Sequence, residues 1–250
     1  MPLDFPNTPT DGQVYEKYKW NATDSVWELN LPEYVDSDTI IDAYLPTGSF
    51  VGRYISTEDL TVYTFNNIPV GDGGKIVLGI HSEASPETSF VSSILVDGLD
   101  ATQVQGAVSS NAHAQIWAID LNNPSSSAVT VVVNSAPGPV RLVMGVWKLE
   151  RMLFEEPIFS GKDESISGSL SVTTSYLPED SFVIAVATDD NPTPGAWAWT
   201  NATRRYNENT SENGSTFSGA DATIEASGAI TVTATTDSTE DNSMALAAFR

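Results

Sequence analysis

The chain has almost no helical periodicity. Its apolar residues fall into short runs, continuous or alternating with polar residues, separated by clusters of Gly, Pro, Asn, Asp and Ser. Runs of this kind are typical of β-strands. Candidate strands are Thr61–Phe65, Lys75–His81, Ser89–Val96, Gln115–Asp120, Ala128–Val133, Val140–Leu149, Ser169–Ser175, Ser181–Thr188, Ala196–Thr200, Ala222–Ala226, Ala229–Thr235 and Ser243–Phe249. The pattern predicts an all-β protein built as an antiparallel β-sandwich or jelly roll.

Two of the candidate strands contain a continuous apolar run. These are Ile76–Ile80 and Phe182–Val186. A continuous apolar run is typical of a central strand that is covered by protein on both faces. By contrast, Ile230–Thr235 alternates apolar residues with Thr, as expected for a strand with one face in water.

Three segments recur in the same order further along the chain. Pro69–Ile80 matches Leu177–Val186, Ala128–Val131 matches Ala229–Val232, and Val143–Trp147 matches Met244–Phe249. The repeat predicts two related β halves, at 35–150 and 169–250, joined by a linker or crossover at 151–168. Whether the halves share one core or form two sandwiches stays open.

The charge of the chain excludes several classes of partner. There are 33 acidic and 11 basic residues, a net charge of -22. Such a chain repels nucleic-acid phosphates and anionic lipids, so we expect no nucleic-acid partner. It has no cysteine, which excludes disulfides, thiol catalysis and Cys-zinc sites. No apolar run is long enough for a membrane helix and the N-terminus lacks a signal-peptide pattern, so we expect a cytoplasmically synthesised protein without membrane insertion.

No motif in the sequence predicts catalysis. The only histidines, His81 and His113, are too few for a three-His metal site. There is no Gly-x-Ser-x-Gly nucleophile elbow. The adjacent carboxylates of Glu155 and Glu156 would need loop geometry to converge on a glycosidic bond, because neighbouring residues of a strand point to opposite faces. We therefore expect no enzymatic activity and no cofactor.

One acidic cluster is a candidate metal site. Asp189, Asp190 and Asn191 follow one another at the end of a candidate strand. Carboxylate and amide oxygens are ligands that calcium prefers. The same pattern is also common in solvated loops, which is the alternative interpretation.

The stretch 201–218 is the most loop-like part of the chain, rich in Asn, Ser and Thr. A candidate ligand loop here comprises Trp197, Trp199, Arg204, Tyr206 and Asn207. Long polar loops at the end of a sandwich often carry binding sites, and aromatic rings with Asn suit sugars. The alternative is that the two tryptophans belong to the sandwich core.

Residues 1–34 differ from the rest of the chain. An extended, proline-punctuated arm precedes Val14–Trp20 and Val26–Leu29, which flank a short polar segment and predict a hairpin. An isolated hairpin cannot bury this many large rings by itself. We therefore predict an anchoring or oligomerisation surface. Its residues are Phe5, Pro6, Pro9, Tyr15, Tyr18, Trp20 and Trp27.

The arm and hairpin resemble a short module of tailed-phage structural proteins, often fibre or head-surface proteins. The rest of the chain, from Thr61 to Arg250, resembles a β-sandwich family of phages with marine and alphaproteobacterial hosts. This second resemblance is carried by Val96–Val104, by Gly145–Leu149 and by Ala245–Phe249.

The resemblance implies a virion structural protein and no catalytic residue. We expect a capsid-decoration or head-fibre protein on the particle exterior, made in the host cytoplasm and attached through its N-terminal arm. Its expected partners are other virion proteins, of capsid or tail, and two sister copies in a homotrimer. The alternative is a tail-fibre or receptor-binding module that adheres to a host-surface glycan. The absence of coiled-coil heptads and shaft repeats favours the compact head protein.

Overall fold

The chain divides into two compact units, Met1–Leu45 and Pro46–Arg250. The computed structural model describes residues 14–15, 18–21, 26–29, 46–84, 90–122, 124, 126–138, 140–190, 195–209 and 215–250. These residues form strands and connections without helices, and thus include no helix that could cross a membrane. The all-β fold class expected from the sequence is confirmed.

The N-terminal unit contains a three-stranded antiparallel sheet, which we call the ribbon. Its strands are β1 (Val14–Tyr15), β2 (Tyr18–Asn21) and β3 (Val26–Leu29), in the order β1-β2-β3. The predicted hairpin is present as β2 and β3. The predicted arm residues Phe5, Pro6 and Pro9 lie outside the described residues.

The described residues of the second unit form four antiparallel sheets. The strands are β4 (Thr47–Leu60), β5 (Val62–Pro69), β6 (Gly73–Ala84), β7 (Phe90–Val96), β8 (Leu99–Asp100), β9 (Thr102–Ser109), β10 (Ala112–Asn122), β11 (Ala128–Ala136), β12 (Val140–Glu150), β13 (Phe159–Ser165), β14 (Ser169–Thr173), β15 (Phe182–Asp189), β16 (Ala198–Thr200), β17 (Thr203–Asn209), β18 (Thr216–Thr223), β19 (Thr231–Thr235) and β20 (Asn242–Phe249).

The two halves have the same strand order. The first large sheet is β4-β12-β6-β10-β9, and the second is β13-β20-β15-β18-β17. The small sheets are β5-β11-β7-β8 and β14-β19-β16, which differ only by β8. In both halves the first and last strands are neighbours and most connections cross between sheets, as in a jelly roll. The three segments that recur in the sequence fall on equivalent strands, β6 and β15, β11 and β19, β12 and β20, so the two related halves are confirmed.

Three hydrophobic cores hold the four sheets in a stack. The first core lies between the sheets of the first half, around Leu78 and Val131. The third lies between the sheets of the second half, around Val183 and Val232. The middle core lies between the two large sheets, around Trp147, and we call it the seam. Each half is therefore a sandwich, and the seam joins the two.

The strands expected to be covered on both faces are β6 and β15. In β6, Leu78 contributes to the first core and Val77 to the seam. In β15, Ile184 contributes to the seam and Val183 to the third core. Burying a side chain of this size stabilises the fold by about 1.5–3 kcal/mol. The prediction of two central strands is confirmed.

Some strands were not predicted from the sequence. Phe159–Ser165, within the expected linker 151–168, is β13 and pairs with β20 at the edge of the second large sheet. The remaining connection is anchored at the chain's last residue, because the N–H groups of Leu153 and Phe154 donate to the Arg250 carbonyl at 2.7 and 3.0 Å. The edge strands β4, β9 and β17 were also not predicted.

Candidate functional site

The predicted ligand loop contains a strand. Thr203–Asn209 forms β17, which pairs with β18 in the second large sheet, so the expectation of a loop is wrong here. Trp197 is fully buried in the third core, and Tyr206 is buried in the seam. Neither ring is accessible to a ligand. This placement agrees with the alternative interpretation that Trp197 is a core residue.

Two of the other three residues, Arg204 and Asn207, bond to the backbone of Trp197. The Trp197 N–H donates to Oδ1 of Asn207 at 2.9 Å, and Nη1 of Arg204 donates to the Trp197 carbonyl at 2.7 Å. Trp199 is half-buried, and its Nε1 donates to Oγ of Ser218 at 2.9 Å. The structure therefore uses Arg204 and Asn207 to fix the backbone of a core tryptophan, whereas Trp199 bonds to β18 and Tyr206 lies in the seam.

A buried polar network crosses the seam at Tyr206. The Tyr206 hydroxyl lies 2.7 Å from Nε2 of His81, and Nδ1 of His81 lies 3.0 Å from Oγ1 of Thr188. The Thr188 hydroxyl donates to the His113 carbonyl, at 3.2 Å. Its oxygen therefore accepts a hydrogen bond from Nδ1–H of His81. Nε2 therefore accepts a hydrogen bond from the Tyr206 hydroxyl. The network connects β6 of the first half with β15 and β17 of the second.

Burial fixes the protonation of this network. Desolvation lowers the pKa of His81 to about 3 and raises the pKa of Tyr206 well above its ordinary value. Both groups are therefore neutral near pH 7. A neutral imidazole in this setting can accept a hydrogen bond from the Tyr206 hydroxyl without the cost of a buried charge.

A second polar contact crosses the seam at Asp221. This buried carboxylate on β18 accepts Nε1–H of Trp147, on β12, at 2.7 Å. It also accepts two hydrogen bonds from Arg205, from Nε and Nη2, both at 2.7 Å. A bidentate guanidinium balances the carboxylate charge and fills its acceptor sites. A third pair, Arg53 with Glu208, joins β4 to β17. Strand β17 thus carries two of these three contacts between the halves, through Tyr206 and Glu208.

Glycines make room for the aromatic rings of the seam. Phe50 lies 5.2 Å from Trp147 and 5.7 Å from Tyr206, measured between ring centroids. A Cβ on Gly145 would lie 2.6 Å from the Tyr206 ring, and a Cβ on Gly219 would be closer still. Any side chain at these positions would displace the ring, so the close approach of the two sheets depends on glycine.

The candidate calcium residues are engaged in other contacts. Asp189 is buried and accepts Oγ–H of Ser238 at 2.8 Å, while Asp190 accepts Nδ2–H of Asn111 at 3.2 Å. Desolvation raises the pKa of Asp189 to about 6. Asn191 lies outside the described residues. Within the described part of the chain, no three His, Asp or Glu side chains are placed to hold a metal ion.

A small cleft lies beside the buried Lys75. It has a volume of about 280 Å³ and lies between the ends of β9 and β10 and the connection at Glu155 and Glu156. The Lys75 side chain is buried, and its Nζ donates to Oδ2 of Asp120 at 2.7 Å and to the Glu155 carbonyl at 2.5 Å. The described lining has no aromatic ring that could stack on a sugar. The Lys75 ammonium group is therefore bonded to the residues that form the wall of the cleft.

The ribbon brings together the remaining predicted interface residues. Its register pairs Tyr15 with Tyr18, Tyr18 with Leu29, and Trp20 with Trp27. The backbone pairing therefore places Tyr15, Tyr18, Trp20 and Trp27 at adjacent positions of one small sheet.

Sequence reasoning missed the contacts of the seam. It considered His81 only as a metal ligand and did not select Asp221, Arg205 or Trp147. One signal was present, because Asp221 is a charged residue inside the otherwise uncharged strand Thr216–Thr223. A lone acid in a buried strand requires a partner.

Comparisons of this chain with protein-family models, curated proteins and solved structures found no match.

Proposed function

We propose that the chain is a non-enzymatic structural protein of a tailed-phage particle. In this proposal it is a capsid-decoration or head-fibre protein on the particle exterior, present as a homotrimer and attached through its N-terminal unit. The observation that carries the proposal is the division into two units, the first of which contains a small three-stranded sheet of its own. This division suits a protein with one part held by the particle and another projecting from it.

The environment of the perturbed groups supports a structural role. Catalytic groups with shifted pKa values normally face a cleft that admits substrate. His81 and Tyr206 instead lie buried in the seam and bond to each other. Their pKa values are shifted because they are desolvated, and their contacts join the two sandwiches.

The stacked architecture supports the same role. A second unit with three cores and polar contacts across the seam resists separation of its halves. Its acidic surface keeps neighbouring copies soluble at the high local concentration of a particle.

Particle binding tests the proposal. Particles stripped of the protein are incubated with the full-length chain, with a Trp20→Ala/Trp27→Ala double variant, or with Tyr176→Ala, a control at a residue of the second unit that is 69% exposed. We expect the double variant to bind at least about tenfold more weakly, because central aromatic residues dominate the energy of interfaces. The control should bind like the unmodified protein.

Two results would contradict the proposal. Equal binding of the double variant would remove the role of the ribbon. If stripped particles keep their heat resistance but no longer adsorb to host cells, the tail-fibre or glycan-adhesion alternative replaces the head-surface role. The unfolding temperature of the second unit, measured for all three proteins, controls for damage to the fold.

A further inference from the structure

We propose that one end of the second sandwich binds a calcium ion through the Asp189 carboxylate, the Asn242 amide oxygen and the Thr216 hydroxyl. This site differs from the one that the sequence suggests at Asp189, Asp190 and Asn191, because three neighbouring strands form it. It is independent of the proposed attachment to a particle.

The three side chains share one face of the second large sheet. Asp189 ends β15 and is the cross-strand partner of Thr216 on β18 and of Asn242 on β20. Directly paired residues point to the same side of a sheet, with Cβ atoms about 4.5–5.5 Å apart. Phe217, the next residue of β18, packs in the seam, so the three side chains point the other way, into the second sandwich. All three are fully buried.

This row of side chains has more oxygen acceptors than donors. Within the part of the chain that the structure describes, Oδ1 of Asn242 and Oγ1 of Thr216 are buried and form no hydrogen bond. Asp189 lies between them and accepts from the hydroxyls of Ser238, at 2.8 Å, and Thr236, at 3.5 Å. A carboxylate has about four acceptor sites, so it retains lone pairs for a further partner. A cation would satisfy the oxygens of all three side chains together.

The local charge favours a divalent ion. None of the basic side chains in the described ranges forms an ion pair with Asp189. Desolvation raises the pKa of Asp189, and the nearby charges of Asp190 and Asp237 raise it further. Calcium accepts an irregular set of carboxylate, amide and hydroxyl oxygens, whereas magnesium requires a nearly ideal octahedron. With one buried carboxylate, the Kd for calcium should be about 0.1–1 mM, as in weakly binding calcium modules.

Calcium titration tests the site directly. The full-length protein is freed of divalent cations with EDTA, desalted, and titrated with calcium chloride by isothermal titration calorimetry. Thr216→Val keeps the shape of the side chain but removes its oxygen, so it should fold as well and bind calcium at least about tenfold more weakly. Ser215→Ala is the matched control, because it removes a neighbouring buried hydroxyl that also forms no hydrogen bond. Successive side chains of an extended chain alternate in direction, so this control should bind calcium normally.

Thermal unfolding gives a second readout. About 10 mM calcium chloride should raise the melting temperature of the unmodified protein and of Ser215→Ala by at least about 3 °C. Thr216→Val and Asp189→Asn should lose most of this shift, and magnesium chloride at the same concentration should produce a much smaller one. Calcium binding retained by Thr216→Val, an equal response to magnesium, or no response of the unmodified chain would overturn the proposal.

Discussion

The hydroxyl of Tyr206 provides the most direct test of the polar contact inside the seam. It donates to Nε2 of His81 at 2.7 Å, and both residues are buried. The substitution Tyr206→Phe keeps the ring beside Phe50 and Trp147 while it deletes this hydrogen bond. It leaves Nε2 of a buried imidazole without a donor.

The expected cost follows from the burial of that nitrogen. A buried acceptor that loses its partner costs about 1–3 kcal/mol. His81 cannot compensate by taking up a proton near pH 7, since desolvation lowers its pKa to about 3. For a folded unit the size of Pro46–Arg250, each kcal/mol changes the melting temperature by about 2–4 °C. We therefore expect Tyr206→Phe to lower it by about 2–12 °C.

Differential scanning calorimetry at pH 7 measures this change. Tyr176→Phe is the matched control, because Tyr176 is 69% exposed and the loss of an exposed hydroxyl changes stability by less than about 0.5 kcal/mol. A Tyr206→Phe protein that melts together with the control would refute the reasoning. It would mean that water replaces the missing donor and that the seam is not dry at His81.

Two further substitutions test other parts of the stack. The pKa of Asp189 is raised to about 6 from 3.8, so the folded protein retains a proton that the unfolded chain has lost, and stability falls as pH rises through that window. The free energy of unfolding of Asp189→Asn should therefore rise relative to that of the unmodified protein as the pH increases from about 4 to about 7, by at most about 3 kcal/mol in urea unfolding. A difference that does not depend on pH would contradict this. A Cβ on Gly79 would lie 2.5 Å from Cγ1 of Val186, so Gly79→Ala should cost about 1–3 kcal/mol by overpacking. Gly228→Ala, where a Cβ has open space, should cost much less in the same assay, and equal costs would show that the seam tolerates extra volume.

The fold could be predicted where the sequence has a strong apolar signal. Strands β6 and β15 each contain a continuous apolar run, and both lie between two cores. The repeated segments fall on equivalent strands because central strands carry most of the apolar pattern of a sandwich. The two related halves were visible in the sequence for this reason.

The edge strands were missed because their signal is weak. β13 contains a single large apolar residue, Phe159, among Ser, Gly, Lys, Asp and Glu, and β17 has only Tyr206 among polar residues. Such a pattern is close to that of a polar loop. The partner of Tyr206 is also far away in sequence, 125 residues from it, and no local rule connects it to His81. The seam could therefore not be predicted before the two sandwiches were seen to stack.

Stacking the two large sheets changes how strand register is fixed. In an ordinary sandwich, a slip of one residue moves apolar side chains into water. In β6 the same slip would exchange Leu78 and Val77 between two apolar cores, with little change in the exposed area. Correct pairing then depends on shape. Gly79 lies opposite Gly145 in the β6–β12 ladder, and a displaced strand would bring a larger residue against the Trp147 indole. The glycines at the middle of this stack thus determine the register of the central strands. In most β-proteins the register is determined by which side chains would be exposed to solvent.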